Sequence, residues 1–267
     1  MSYKVYLWGS LSAVEWSQAV WKKDGRLVSV EEAEEELLHS VLTKYLPKDG
    51  TIVDAGCGTA RWPMYFQRLG YRIFGIEISR DACVIAKEND PAVGILQANV
   101  KQVPLKEHSV DAVMSLGVVE HDEAGPLDAL REAHRILKPN GLLILAVPYN
   151  NLFRRLIVNP LHAYVNRQRR RVNAPLCFGE YRFDKREVRG FLKRAGFEVL
   201  AAYPNDAQPP RTVGLWVDYD NLTYNPLRPP PSELFVLPGI MGKIASSLLR
   251  WVPWLVCAEV AFVARAA

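Results

Sequence analysis

Apolar positions along this chain follow two periods in turn. Between Val30 and Leu46, residues Ala33, Leu37, Leu38, Val41, Leu42 and Tyr45 recur at helical spacing, and an acid-rich run from Glu31 to Glu36 sits at the start, where the helix dipole favours it. From Thr51 the period shortens. The runs TIVDA, YRIFGIE, AVGILQA, DAVMSLGVV and GLLILAVP read as strands, most of them apolar on both faces as in a buried parallel sheet. Between them RWPMYFQRLG, SRDACVIAKEN and GPLDALREAHRILKPNG read as helices, the last stopped by Pro139, Asn140 and Gly141. Strict alternation over residues 51–148 predicts right-handed crossovers and an α/β fold of three layers around a doubly wound, mostly parallel sheet. Ligands of such sheets lie beyond the carboxyl ends of the strands.

After Pro148 the alternation breaks, so residues 149–183 are expected to form a cap insertion over the strand ends. Asp184 reads as an N-cap with Glu187 three residues on; Val188, Phe191, Leu192 and Ala195 share one face, and Gly196 ends the helix. A strand, FEVLAAY, follows, then a proline-rich excursion with QPPR and RPPPS, and finally LVCAEVAFVARA, which suits a closing strand. The expected plan is a single domain over residues 1–267: a helical lead-in (1–50), a core (51–148), the cap insertion (149–183), a helix and strand (184–203), a second insertion (204–256) and the closing strand (257–267). No internal repeat appears at a solenoid period.

With 267 residues, 49% of them hydrophobic, the chain can bury one large core. A net charge of +4 is too weak to imply a polyanionic partner unless the cations cluster. They do so in NRQRRRVN, where Arg167, Arg169, Arg170 and Arg171 suit a phosphate, a carboxylate or a lipid headgroup, or form a solvated basic helix end. Nucleic acid is not expected, because no RNA-binding module accompanies the arginines. The four cysteines lack paired spacing, and no basic leader with an apolar core opens the chain, so a reducing, cytoplasmic setting is expected. The apolar run from Leu234 to Val260 is interrupted by Pro238, Lys243, Arg250, Pro253 and Glu259, so no span of about 18 residues could cross a bilayer. A core helix is the first reading of that run; a lid, or at most a peripheral membrane helix using Trp251 and Trp254, remains open.

Chemistry is concentrated in IVDAGCGTAR. Gly56 and Gly58 permit positive φ and close approach of backbone to a ligand, Asp54 places a carboxylate at the strand tip, and the next helix begins at once. Glu77 closes the second strand about twenty residues on, where a carboxylate can take both hydroxyls of a ribose. The bare Gly-x-Gly with Glu77 also leaves a nicotinamide-dependent oxidoreductase open. No C-x-x-C or H-E-x-x-H pattern supports a metal site.

The loop, with GIEIS, LQANVKQVPLKEHSVDAVMSLGVVEH and EAHRILKPNGLLILAVP, resembles class I S-adenosylmethionine-dependent methyltransferases, in the branch that includes the ubiquinone and menaquinone enzymes. The resemblance implies a seven-stranded sheet with its last strand antiparallel. It implies S-adenosylmethionine as cofactor, with Asp54, Gly56 and Gly58 at its methionine end, Glu77 at the ribose, Asn99 and Val100 at the adenine edge, and Ala55, Cys57, Ile78 and Leu116 as further cofactor-binding residues. Asn99 stands where the family usually has aspartate, and Ala60 where a third glycine is common; Ala60 is expected within the first helical turn, where alanine is favourable. The acceptor would be a small or lipid-like molecule, with an anionic group if the arginines touch it, methylated on O, N or C. Because a sulfonium already activates its methyl group, a base is optional. His121 after the fourth core strand and Tyr149 after the fifth are the candidates; His162 and Tyr181 in the insertion are weaker, His162 reading as a surface residue. No NPPY-like tetrad follows the fourth strand, which argues against amino-methylation of adenine or glutamine. A non-catalytic methyltransferase-like subunit is the remaining alternative.

Overall fold

The short apolar runs assemble into one seven-stranded sheet. In the computed structural model, which describes residues 2–8, 30–171, 176–205, 218 and 239–267, its strands are β2 (Thr51–Ala55), β3 (Arg72–Glu77), β4 (Ile95–Gln97), β5 (Val110–Leu116), β6 (Leu137–Pro148), β8 (Phe197–Asn205) and β9 (Glu259–Ala266). They lie in the order β4-β3-β2-β5-β6-β9-β8. The five strands β2 to β6 are parallel, and β9 runs antiparallel to both β6 and β8, as expected of the closing strand. The expected proline-rich runs QPPR and RPPPS lie outside the described residues.

Side-chain alternation divides the core between the two faces. Ile52, Met114, Ile144 and Val263 pack with α1 (Leu37–Tyr45) and α2 (Arg61–Arg68), where Trp62 and Phe66 stack with ring centroids 5.8 Å apart. Val53, Val113, Leu145 and Phe262 pack on the other face against α4 (Leu127–Ile136) and α6 (Lys185–Arg194). Between β3 and β4 lies α3 (Arg80–Asn89), begun by Ser79, whose hydroxyl accepts from the Ala82 N–H at 3.3 Å. The acidic start of the first predicted helix is a 3-10 turn, Val30–Glu35.

Three expectations need correction. The lead-in is not wholly helical: Tyr3–Trp8 forms β1, pairing antiparallel with β7 (Leu176–Arg182) inside the cap insertion. The period-2 pattern of YKVYLW, with Val5 buried, finds its partner only 168 to 179 positions along the chain. Next, Pro139-Asn140-Gly141 does not precede β6 but bulges within it: Val110 pairs with Leu137 and Ala112 with Leu142, while Asn140 takes φ 64°. Last, the apolar C-terminal run is only partly core, with Leu249, Val256 and Cys257 buried. It forms α7 (Gly239–Trp251) and α8 (Pro253–Val256), with Ile240 74% and Trp251 77% exposed.

The cap insertion itself is a π-turn, Arg154–Val158, continuing into α5 (Asn159–Arg171) and then β7. Its buried side is polar. Arg154 and Arg182, both almost fully buried, pair with Asp218 from the second insertion. Arg154 also donates to the carbonyls of Tyr149 at 3.0 Å and Ala258 at 2.6 Å. Such a network fixes one orientation of the cap, because removing one charge would strand the others in a low dielectric.

The capping box at Asp184 forms as its sequence implies: Asp184 accepts from the Arg186 and Glu187 N–H groups, and Glu187 bonds back to the Asp184 N–H at 3.2 Å. Asp184→Ala is expected to cost about 1 kcal/mol, measured as a lower urea midpoint at unchanged slope.

Candidate active site

The carboxyl ends of β2, β3 and β5 converge where the sequence concentrates its chemistry. After β2 the chain turns through Gly56 (φ 84°) and Gly58 (φ 57°). A Cβ on Gly56 would come within 2.4 Å of Val118, so the loop after β5 lies against the turn and only glycine fits. Gly75 in β3 serves the same packing, since a Cβ there would meet the Cys57 Sγ at 2.2 Å.

The backbone donors of this turn are not aimed outward, as its glycine spacing suggests. Gly56 and Cys57 both donate to the Ile76 carbonyl, at 2.7 and 3.0 Å. Gly58 donates to Glu77 Oε2 at 2.9 Å, and Glu77 Oε1 accepts from the Ser79 N–H at 2.8 Å. Glu77 therefore straps the turn to β3 and holds the start of α3, while each carboxylate oxygen keeps further lone-pair capacity for a hydroxyl. Ala60 is the second surprise: it is not in the helix but caps it at φ 63°, ψ 33°, a left-handed conformation costing an alanine about 1 kcal/mol. Glycine's commonness at this position follows from that conformation.

Asp54 is buried beneath the turn, and burial pushes its carboxyl up to about 7; Arg61 opposes the shift and Glu77 adds to it. Burial likewise raises the Cys57 thiol well above its ordinary range, so it is a packing group and not a thiolate nucleophile. Ala55 is buried, Leu116 is partly buried at the end of β5, and Ile78 presents an exposed apolar side chain at the rim. Asn99 Oδ1 accepts from the Lys101 N–H at 2.9 Å; the oxygen expected to meet an adenine amino group thus already closes a turn, while Val100 packs against the core.

His121 follows β5 in a short 3-10 turn, Val119–His121. Its Nδ1 lies 2.7 Å from the Gly179 carbonyl of β7, which only accepts, so Nδ1 carries the proton and the ring ties the β5 loop to the cap. Tyr149 lies at the end of β6 with its ring edge-on to Trp254, and burial raises its hydroxyl above the ordinary value, which keeps it protonated. Neither weaker candidate is poised as a base. His162 is buried, not on the surface, and burial holds its pKa down to about 4; the Tyr181 hydroxyl donates to the Glu123 carbonyl at 2.9 Å. The arginines do not converge either: Arg169 reaches Asn166 inside the cap, Arg170 lies 5.7 Å from the Tyr6 ring centroid, and Arg171 bonds Gln168.

One group escapes sequence reasoning. Glu120, beside His121, is 2% exposed, and its Oε2 has no hydrogen-bond partner among the described residues. Burial, with Glu180 of β7 and Glu259 of β9 adding repulsion, holds this carboxyl well above its ordinary range. Its Oε1 lies 4.0 Å from His121 Nε2. The residue pair EH is visible in the sequence, but burial of its glutamate depends on β7 covering the loop. Among the described residues no cluster of His, Cys, Asp or Glu could hold a metal ion.

Residues 53–145, which contain the glycine turn, Glu77 and the β5 loop, match the family model for a methyltransferase domain. The chain thus carries a methyltransferase domain over this segment, and its relatives and fold support a class I S-adenosylmethionine-dependent methyltransferase. The family's cofactor is S-adenosylmethionine, and the nicotinamide alternative falls with the match. The chain is similar to a Mycobacterium tuberculosis protein described as a "probable S-adenosylmethionine-dependent methyltransferase", 29% identical over 42% of this chain and 41% of that one. It is also similar to the malonyl-[acyl-carrier protein] O-methyltransferase of Pectobacterium atrosepticum, 30% identical over 36% of this chain and 37% of that one. The matches thus span about two fifths of these relatives' length. Among solved structures, the Burkholderia thailandensis 1,6-didemethyltoxoflavin-N1-methyltransferase shares the fold at a TM-score of 0.55 and 15% identity, over 97% of this chain and 92% of that one. No helix of the described residues is long and apolar enough to cross a membrane.

The turn offers a cradle that a Cβ would fill, with the Glu77 carboxylate bonded to it and the buried Asp54 carboxyl beneath it. Gly56→Ala is expected to weaken S-adenosylmethionine binding at least tenfold in calorimetry, and Gly56→Ala with Val118→Ala to recover part of the loss by relieving the contact.

Asp54 supplies a second expectation. Its folded-state pKa near 7 exceeds the ordinary 3.8, so its contribution to stability is present below about pH 4 and is lost as pH rises through 7. Cofactor binding has the opposite sign, because a sulfonium ligand favours the ionised carboxylate. Affinity should rise between pH 6 and 8, and Asp54→Asn should flatten that dependence; identical pH profiles for the two proteins would remove Asp54 from the cofactor site.

Proposed function

We propose that this chain transfers a methyl group from S-adenosylmethionine to an O, N or C atom of a small-molecule or lipid-like acceptor entering between the β5 loop and the cap. The observation that carries the reading is the Glu77 strap on the glycine turn, inside the segment that matches the methyltransferase domain. Asp54, Gly56, Gly58 and Glu77 would hold the cofactor, with Ile78, Val100 and Leu116 as its apolar walls. The bound cofactor supplies an electrophilic methyl group on a sulfonium. What remains for the protein is alignment of a nucleophile and removal of its proton where it carries one.

Glu120 is the residue suited to that second task. A carboxyl held out of water is a stronger base than an ordinary one, and its partnerless Oε2 leaves room for an acceptor hydrogen bond. His121, tethered through Nδ1 to Gly179, would position the loop and present Nε2 toward the same space. Tyr149 serves as wall, its protonated hydroxyl being a donor and not a base. The likeness to a malonyl-[acyl-carrier protein] O-methyltransferase is compatible with a small or lipid-like acceptor here.

A labelled-methyl screen against alcohols, amines, carboxylic acids and extracted lipids tests this reading. Transfer is expected to at least one class, rising with pH along a limb set by Glu120; Glu120→Gln should lower kcat about 10²-fold or more and abolish that limb while leaving cofactor affinity unchanged. Cofactor binding without transfer to any class would return the chain to the non-catalytic alternative.

A further inference from the structure

The cap helix is built inside out. From the π-turn through α5, the buried side chains are Arg154, Val158, Asn159, His162 and Asn166, whereas Leu156 is 67%, Tyr164 62%, Leu161 48% and Ile157 47% exposed. A helix free to roll would bury the second set and solvate the first. This one cannot roll, because Arg154 is held by Asp218 and by two backbone carbonyls, and Asn159 by Asn150 and Arg182. The network presents apolar side chains outward as a fixed face.

The charged residues of this segment are all cationic. Between Asn150 and Arg171 there are six arginines and no aspartate or glutamate; Arg154 and Arg169 turn inward. Arg155, Arg167, Arg170 and Arg171 are exposed. A second apolar surface connects to it: Phe153 packs against the cluster of Leu249, Val256 and Cys257, and from the same helices Ile240, Ile244, Trp251 and Val252 stand exposed. From Gly239 to Ala258 the only charged residues are Lys243 and Arg250.

We propose that the outward face of the cap, from Leu152 to Tyr164 together with α7 and α8, docks in the plane of an anionic phospholipid bilayer. Two elements with leucine, isoleucine and tryptophan outward, flanked only by Lys and Arg, have the composition of an interfacial surface: apolar side chains enter the acyl boundary while the cations meet anionic headgroups. An acidic protein groove would match the charge but leaves unexplained why two separate elements are apolar outward on connected surfaces. The contact needs no methyl transfer, so it stands apart from the function proposed above.

The test is co-sedimentation of the full chain with vesicles of phosphatidylcholine alone or containing phosphatidylglycerol. Binding is expected only to the anionic vesicles and should fall at least tenfold at high salt. Leu156→Ser with Leu161→Ser and Tyr164→Ser should reduce it by at least tenfold, as should Arg155, Arg167, Arg170 and Arg171 all changed to Gln. Cofactor affinity, read by calorimetry, should be unchanged in both variants, which separates loss of docking from loss of fold. Failure of the parent to bind anionic vesicles, or equal binding by the variants, overturns the proposal. So does a parent that sediments as a dimer, dissociates on the Ser substitutions and ignores vesicles, since the face would then be covered by a second copy.

Discussion

The bond from the Gly58 N–H to the Glu77 carboxylate, with its companion from the Ser79 N–H, is the constraint on which the site is arranged. A turn of two glycines and a left-handed alanine has no intrinsic preference for one shape. It acquires one because Ile76 and Glu77, at the end of the neighbouring strand, accept its three N–H groups in succession. The strand pairing Ala55 to Ile76 sets that distance, so the site inherits its precision from the ladder of the sheet. Gly75 completes the arrangement by leaving space for Cys57.

A contrast in polarity runs through the rest of the molecule. Beneath the sheet's rim sit two buried acids, Asp54 and Glu120, both held toward the neutral form by desolvation. Over the rim sits a cap whose interior is cationic, with Arg154 and Arg182 balanced by Asp218. β7 lies between the two, receiving His121 through the Gly179 carbonyl and contributing Glu180 to the surroundings of Glu120. A single strand thus couples the loop after β5 to the clamp that fixes the outward face of the cap. Any movement of the cap would change both the solvation of Glu120 and the presentation of that face.

Much of the fold was legible in the sequence. The βαβ rhythm from Thr51 to Pro148, the closing strand, the Asp184 capping box, and the positions of the glycine turn and Glu77 are all encoded by short-range pattern: apolar period, cap residues and strand-end acids; the antiparallel direction of the last strand came from the family resemblance. These signals survive in one sequence because each depends on neighbours within a few residues of chain.

What only the tertiary structure decided is where groups distant in sequence meet. Nothing local to YKVYLW says that it will pair with a strand 168 to 179 positions away, nor does the sequence around Glu120 say that its carboxyl will be buried and held above its ordinary range. The four arginines near Arg170 looked like one patch because they are adjacent in sequence, but helical geometry turns Arg169 inward and the others apart. Likewise the apolar run after Pro238 read as core, whereas only Leu249, Val256 and Cys257 of its helices and their end form a small buried cluster, and Ile240, Ile244, Trp251 and Val252 stand exposed. Composition determined how much apolar surface this chain has to bury; competition among elements for the two faces of the sheet determined which of it was left exposed.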